Sequence, residues 1–358
     1  MNLPETNLKW LWDSTLFLTR HGSHAYGTNI ASSDEDFKGF CVPPMKYYTG
    51  FAERFEQAEF RHEPDMVIYG LQKFFRLAAD CNPSIIEVLF TDESQHRIVT
   101  GLGQIILNNK EMFLSRKAKH TFSGYATAQL KKIRSHYKWL KNPPKAPPER
   151  AAFDLPETPL IPKSQMDAVQ AHIRKKVEYW DTDLGMVDDA ARIDLKDKIS
   201  THLAELQIYS DTQWKAAGRS LGVDENFIDL MDRERQFGNA QAEWRSYNVW
   251  LETRNEKRSE LERKYGYDTK HGMHLVRLMR MGQEILDCKG VIVKRPDAEE
   301  LLAIRNGAWK YEDLLDWSEK AQVKLDETYK TSALRRTPDV EALDDLCQSL
   351  VEGFHNPL

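Results

Sequence analysis

The chain has few cysteines, and none of them are close together. Only four occur among its 358 residues, and they are Cys41, Cys81, Cys288 and Cys347. No pair has the Cys-x-x-Cys spacing that is typical of a zinc ribbon. Nor are they dense enough for a disulfide framework, so the pattern favours a reducing compartment.

Long hydrophobic runs are also missing. No stretch approaches the roughly 18 apolar residues of a membrane helix. The first residues, Met1 to Thr6, lack the charged and apolar regions of a signal peptide. We therefore expect no membrane partner and a cytoplasmic location, in the protein's own cell or in a host cell.

An overall excess of positive charge is absent as well. The formal net charge is −5, so any binding of nucleic acid has to come from a local patch. Residues 116–150 supply one, with ten lysines and arginines against the single acid Glu149. Tyr125, Tyr137 and Trp139 lie among these cations. The segment favours RNA binding through phosphates and base stacking, and the alternative is a solvated amphipathic helix.

What is present is a Gly-Ser turn followed by a pair of aspartates. Gly22-Ser23 follows a short apolar run, and Asp34 and Asp36 come about ten residues later. On a strand, Asp34 and Asp36 point to the same side and Glu35 to the other. Neighbouring carboxylates repel unless a cation lies between them, and Mg²⁺ shares such oxygen ligands with phosphates. The pattern predicts metal-dependent phosphate chemistry, although an isolated Asp-x-Asp is usually a solvated loop.

A third acidic ligand is needed if the site holds two metal ions. Asp65 is the best candidate, because it opens the strand-like run Met66 to Tyr69. Glu63 lies two residues earlier, on the same face, and is the rival.

The order of elements predicts an α+β (mixed α/β) fold. Strand-like segments within Trp10–Arg20, Asp36–Val42 and Met66–Tyr69 alternate with helical patterns. From about residue 100 onward the pattern is almost entirely helical. We expect a small sheet-and-helix catalytic domain over residues 1–115. A larger helical domain is expected over 116–358, with a variable insertion around 140–260.

A late helix carries a row of cationic side chains. Lys270, His271, His274 and Arg277 fall on one helical face, which favours contacts with a nucleotide or with RNA phosphates. The alternatives are a salt-bridged surface and a zinc site formed by the two histidines, for which no further ligand cluster is evident. Glu87 is a candidate buried partner for one of these cations.

Several motifs together resemble one family. Gly22-Ser23, Ala25-Tyr26-Gly27, Ser33-Asp34-Glu35-Asp36 and Gly39 resemble the DNA-polymerase-β-like nucleotidyltransferases, and in particular their RlaP (RNA-ligase-associated) branch. Further matches are Tyr47-Tyr48-Thr49-Gly50, Asn82-Pro83, Glu87-Val88-Leu89, Gly124-Tyr125-Ala126, Tyr267-Asp268 and Ile304-Arg305-Asn306-Gly307. The resemblance covers residues 15–135 and 265–315.

The resemblance implies a role for each matching residue. Gly22 and Ser23 would grip a triphosphate, and Asp34, Asp36 and Asp65 would hold two Mg²⁺ ions, with Mn²⁺ as a possible substitute. Asp65 would also accept the proton of the attacking hydroxyl. The nucleotide contacts expected elsewhere are Lys131, Lys132, Lys270, His274 and Arg277.

The implied reaction is Mg²⁺-dependent transfer of a nucleoside monophosphate from an NTP to an acceptor hydroxyl. The resemblance implies an RNA 3′ end as the acceptor, in RNA repair or end modification. Transfer to a protein or small molecule, as in antitoxin-like or antibiotic-modifying relatives, is the first alternative. A non-catalytic protein that binds RNA or nucleotide is the second. The choice of NTP and the oligomeric state stay open.

Overall fold

The structure is a computed structural model that divides into two compact units. It describes residues 3–61, 64–159, 161–162, 164–169, 171–172, 222, 224–254 and 256–356. The first unit contains residues 1–141 and 255–358, and the second contains residues 142–254. The boundary expected near residue 115 stays a prediction. Glu63 lies outside the described residues, as do residues 173–221 of the insertion expected around 140–260.

A five-stranded mixed sheet lies in the first unit. Its order is β3-β4-β2-β1-β5, with β2 and β4 parallel and the other neighbours antiparallel. The strands are β1 (Thr15–His21), β2 (Asp36–Cys41), β3 (Gln57–Phe60), β4 (Asp65–Gly70) and β5 (His96–Val99). The parallel pair is what brings the first residues of β2 and β4 together.

Helices make up most of the rest of this unit. The early ones are α1 (Gly22–Tyr26), α2 (Lys46–Thr49), α3 (Leu71–Ala79), α4 (Pro83–Leu89), α5 (Gly101–Asn108) and α6 (Lys117–Lys141). The late ones are α8 (Glu256–Tyr265), α9 (Thr269–Leu286), α10 (Ala298–Arg305), α11 (Tyr311–Thr331) and α12 (Val340–His355). The helix before them, α7 (Glu225–Thr253), belongs to the second unit. The α+β fold class is therefore confirmed.

Apolar side chains cover both faces of the sheet. On one face, Phe17 and Phe40 join a large core that extends through α6 and α9. On the other face, Leu18, Phe37 and Met66 belong to a smaller cluster closed by tryptophans near the N-terminus. Period-two alternation along each strand produces these two cores. The sheet is thus buried between the layers, and its functional residues lie at strand ends.

The sequence predicted the central strands and missed the outer ones. β1, β2 and β4 match the expected segments, and the late helix expected to carry Lys270 to Arg277 is α9. β3 and β5 were not predicted, because each has four residues, lies at an edge and includes polar side chains. The helical pattern expected from Gly101 to Lys141 is broken by a 3₁₀ turn at Lys110–Phe113.

The described part of the second unit contains one long helix. This helix, α7 (Glu225–Thr253), begins at Asp224, whose carboxylate accepts hydrogen bonds from the first-turn amides. Within the unit, Arg150 forms an ion pair with Glu234, and the ring centroids of Phe153 and Phe237 are 5.6 Å apart. Among the described residues of both units, no helix is long and apolar enough to cross a bilayer.

Candidate active site

The Gly-Ser turn is the junction between β1 and α1. Gly22 has φ +68°, a conformation that side chains disfavour, and a Cβ atom there would collide with the carboxylate of Asp36. Ser23 follows in the first turn of α1, which ends at Gly27, also with positive φ. A glycine at position 22 therefore lets the backbone and an Asp36 carboxylate share one small space.

Two of the predicted aspartates lie side by side on the sheet. Asp36 opens β2 and Asp65 opens β4, and the two are direct partners in the parallel ladder. Partners in neighbouring strands point to the same face about 4.8 Å apart along the hydrogen-bonding direction. Asp34 precedes the strand by two residues and is exposed. Glu35 faces elsewhere, since its carboxylate pairs with Arg20 at 2.7 Å.

Asp36 is half-buried and lies close to the other two aspartates. Burial raises the pKa of its carboxyl, and the neighbouring Asp65 and Asp34 raise it further. Lys38 and Lys270 act in the opposite direction without cancelling the increase. The surrounding protein thus leaves negative charge under-neutralised at this position. A donor set of three carboxylates with such a balance fits a hard divalent cation such as Mg²⁺.

A central cleft opens in front of these residues. It has a volume of about 420 Å³. The lining residues are Gly22, Ser23, Tyr26, Ser32, Ser33, Asp34, Asp36, Leu261, Lys270, Met273, His274, Arg277 and Arg305. The fold therefore brings the Gly-Ser turn and the aspartate pair together with the cationic helix α9, although more than 230 residues separate them in sequence.

Asp65 lies on the far side of Asp36, in a second cleft. This side cleft has a volume of about 510 Å³ and also contains Asp36, Lys38 and Arg61. Asp36 borders both clefts. The arrangement places Asp36 between a chamber that contains the Gly-Ser turn and a chamber that contains Asp65.

Lys131 and Lys132 lie elsewhere. Both are exposed on α6, and neither lines the central cleft. Their role as triphosphate contacts stays a prediction.

Some cations of the basic segment 116–150 form ion pairs or hydrogen bonds with other parts of the fold. Lys119 is buried against Asp326 at 2.8 Å, Lys117 pairs with Asp80 at 2.7 Å, and the guanidinium of Arg116 donates to the carbonyl of Leu334 at 2.8 Å. These cations hold α6 in place, so the number of charges available to a ligand is smaller than the sequence suggests.

The aromatic residues of the same segment are also partly used in packing. Tyr137 stacks on Tyr311 with ring centroids 3.9 Å apart, and Trp139 is buried beside His136. Tyr125 is 40% exposed. Of the three aromatic residues considered for base stacking, Tyr125 is therefore the one that presents substantial surface.

Behind the central cleft, Glu87 is fully enclosed and surrounded by donors. Arg277 donates to it at 2.6 Å, and the hydroxyl of Tyr26 donates at 2.5 Å. His21 lies 3.3 Å away, and the Arg277 guanidinium lies 3.8 Å from the centroid of the Tyr26 ring. The expectation that Glu87 is a buried partner for a cation of α9 is confirmed, and Arg277 is that cation.

The pKa shifts in this network follow from burial and charge. Burial alone would raise the pKa of Glu87, but Arg277 and the hydrogen bonds outweigh it and hold that pKa well below its usual range. Burial and the nearby Lys38 lower the pKa of His21 to about 4. At neutral pH, Glu87 is charged and His21 is neutral. Arg277 therefore lines the cleft with its positive charge already paired to Glu87.

Arg305 is a cleft residue that the sequence reasoning did not assign. It lies at the end of α10 and lines the central cleft. Its carbonyl accepts a hydrogen bond from the hydroxyl of Thr269, at 2.6 Å. Two residues later, Gly307 has φ +86° and leaves no room for a Cβ against the ring of Tyr265. The Ile304-Arg305-Asn306-Gly307 motif was the available signal for this turn.

The two histidines of α9 go to different places. His274 lines the central cleft, whereas His271 is buried and contacts Gln129 and Asp268. The zinc site considered for this pair is therefore not formed by the two together.

A mixed sheet with a Gly-Ser turn and paired aspartates at its edge is the arrangement expected for a nucleotidyltransferase of the DNA-polymerase-β type. Residues 7–142 match the family described as RlaP, RNA repair pathway DNA polymerase beta family. The resemblance seen in the sequence is confirmed over this part of the chain. The family points to nucleotidyltransferase activity in RNA repair.

The chain is also similar to a phage protein. An uncharacterized 38.9 kDa protein from the nrdC-mobD intergenic region of Enterobacteria phage T4 is 27% identical over 129 residues. The alignment covers 33% of this chain and 38% of the phage protein. No solved structure gives a significant match.

Proposed function

We propose that the protein transfers a nucleoside monophosphate from an NTP to an acceptor hydroxyl in a Mg²⁺-dependent reaction. The observation that carries this proposal is the pairing of Asp36 with Asp65 beside a Gly-Ser turn that has no room for a Cβ. Asp34, Asp36 and Asp65 would hold the metal ions. Bound there, Mg²⁺ supplies charge neutralisation and orientation at the reacting phosphate.

The side chains of the central cleft have roles that follow from their chemistry. Ser23 donates a hydrogen bond to a phosphate oxygen, and the glycine before it lets the chain approach closely. Lys270 and Arg305 supply positive charge along the opposite wall, which favours a bound triphosphate. Arg277 lines the same wall with its charge paired to Glu87. His274 adds a ring donor on the same wall. Catalysis then depends mainly on positioning and on electrostatic stabilisation.

The side cleft is the proposed position of the acceptor. Asp65 is exposed there and can accept the proton of an attacking hydroxyl. Lys38 and Arg61 lie in the same cleft and suit a phosphate of a polynucleotide chain. These cations favour the 3′ end of an RNA over an uncharged small molecule.

The test is to incubate the protein with Mg²⁺ and NTPs labelled on the α-phosphate, together with RNA or with a protein extract. We expect label on the RNA 3′ end and release of pyrophosphate. Label on protein or on a small molecule would move the acceptor assignment to the first alternative. Absence of any label with every NTP would favour a non-catalytic binding protein.

A further inference from the structure

A second group of metal-ligating side chains lies outside both clefts. It is formed by the C-terminal part of α6, by α8 and by the start of α9. We call it the α6–α9 cluster, and its members are His136, Glu262, Asp268 and His271. Glu262 and Asp268 are 2% and 0% exposed, so two carboxylates from different elements are buried together.

The distances in the α6–α9 cluster suit a tetrahedral cation. Ligand atoms of His136, Glu262 and Asp268 all lie within 4.8 Å of one another. Nδ1 of His136 is 3.1 Å from Glu262, and Nε2 of His271 is 3.4 Å from Asp268. Around a zinc ion with bonds of about 2.0 to 2.2 Å, neighbouring ligand atoms are separated by about 3.3 to 3.6 Å. His271 is joined to the other three through Asp268, so its ring must turn toward them to complete a tetrahedral set.

The second nitrogen of His271 has the partner that a metal-binding histidine needs. Its Nδ1 lies 2.6 Å from the amide oxygen of Gln129, so Nδ1 is the donor. A neutral ring then has its lone pair on Nε2, directed at Asp268. Outer hydrogen bonds of this type orient metal-ligating histidines and set their tautomer.

Asp268 is already divided between two tasks. Its Oδ1 accepts a hydrogen bond from the amide of His271 and begins α9. Its Oδ2 faces the His271 ring, so the two carboxylate oxygens have different partners.

We propose that the α6–α9 cluster binds one zinc-class divalent cation. Two imidazole nitrogens and two carboxylate oxygens are a donor set that zinc accepts in tetrahedral sites. The ion would tie α6 and α8 to the first turn of α9. Lys270 and His274, on the same helix, line the central cleft, so the ion would hold the cationic wall of the cleft in position.

The test uses the chain without a histidine tag and with Asp34→Ala and Asp36→Ala, so that the catalytic carboxylates do not contribute. After treatment with a chelator, the chain is titrated with Co²⁺ and its visible absorption is measured. We expect the strong bands of tetrahedral Co²⁺ at one ion per chain, removed by added Zn²⁺. Because no nucleotide or transfer assay is involved, the result is independent of the proposed reaction.

Variants identify the ligands. Glu262→Gln and Asp268→Asn should each weaken Co²⁺ binding at least tenfold, and Asp268→Asn keeps a capping oxygen for α9. Gln129→Ala should weaken binding about tenfold through the orientation of His271. The matched controls are Glu260→Gln on α8 and His120→Gln on α6, both exposed, which should bind Co²⁺ normally.

Absence of tetrahedral Co²⁺ bands in the parent chain would overturn the proposal and leave the cluster a set of polar contacts that joins the helices. Equal Co²⁺ affinity in parent, Glu262→Gln and Asp268→Asn would overturn it too. If either variant is unfolded by circular dichroism, Gln129→Ala and the stoichiometry of the parent chain decide.

Discussion

Two acidic sites of the first unit, Asp36 with its neighbours and Glu87, have carboxyl pKa values that are shifted in opposite directions. At the mouth of the central cleft, burial and neighbouring acids raise the pKa of Asp36. Behind the cleft, Arg277 and two hydrogen bonds outweigh burial and lower the pKa of Glu87. The protein completes the neutralisation of Glu87 with its own cation. It leaves the charge of Asp36 and its neighbours less completely balanced, which suits the metal site proposed above.

The difference separates a structural acid from a site for ligands. Glu87 is 1% exposed and its donors come from β1, α1 and α9, so it joins elements around the cleft. Asp34 and Asp65 are exposed, and water or a metal ion can reach them. A fully paired buried carboxylate supports the fold, whereas a partly exposed, crowded group is available for chemistry.

The largest expected effect comes from removing the crowded group. Asp34→Ala combined with Asp36→Ala should reduce nucleotidyl transfer by on the order of a thousandfold or more. The fold should persist, because the change also removes repulsion with Asp65. Initial rates of label transfer and a thermal melt measure the two effects.

The matched control for this pair is Glu35→Gln, between the two aspartates but paired with Arg20. It should keep most of the activity. Full activity in the double variant would contradict the assignment of these carboxylates as metal ligands.

Removing the paired acid should affect stability. Glu87→Gln leaves the buried guanidinium of Arg277 without its counter-charge, and breaking a buried pair in this way costs about 3 to 5 kcal/mol. Urea unfolding followed by circular dichroism measures the loss. Exposed Glu93→Gln, close in sequence, is the control and should change the free energy of unfolding little. A loss below about 1 kcal/mol for Glu87→Gln would show that the network contributes little to stability.

Sequence reasoning found the acids of both groups, for different reasons. Asp34, Asp36 and Asp65 lie next to strand starts, so local patterns indicated them. Glu87 was considered as a buried partner for one of the cations of α9. The partner Arg277 is 190 residues away, and only the packing of α9 against α4 and α6 could establish it.

Other parts of the molecule had no periodic pattern to indicate them. Arg305 reaches the cleft because the turn before Gly307 packs on Tyr265, a contact without sequence periodicity. The α6–α9 cluster joins His136 to Glu262 across 126 positions. Such groupings follow from tertiary packing, whereas helices such as α9 follow from their own hydrophobic period.

His21, which lies beside Glu87, should make the stability of the protein depend on pH. Its pKa is about 4 in the folded chain, against an ordinary value of 6.5, so the unfolded chain binds more protons between these values. Stability should therefore be unaffected by His21 above pH 6.5 and should fall as pH decreases from 6.5 to about 4. The full contribution is about 3 kcal/mol at most.

The measurement is the free energy of unfolding across that pH range for the parent chain and for His21→Gln. The variant should show a shallower decrease, while exposed His120→Gln should follow the parent. Parallel curves for parent and His21→Gln would mean that the ring is not held neutral by burial.

The smallest expected effect concerns cations outside the cleft. Lys131 and Lys132 are exposed, so screening by water and salt limits each contribution. Lys131→Ala with Lys132→Ala should weaken RNA binding about tenfold at low salt. The slope of log affinity against log salt should decrease by about one to two units. Fluorescence anisotropy with a labelled single-stranded RNA measures both quantities.

The control for this pair carries the same number of charges at another place. Lys320→Ala with Lys324→Ala removes two exposed lysines from α11 and should leave the salt slope nearly unchanged. If both pairs reduce the slope equally, the protein attracts RNA through its general field. If only the α6 pair does so, RNA follows that helix, and the charges left over after Lys117 and Lys119 are paired are the ones that bind it.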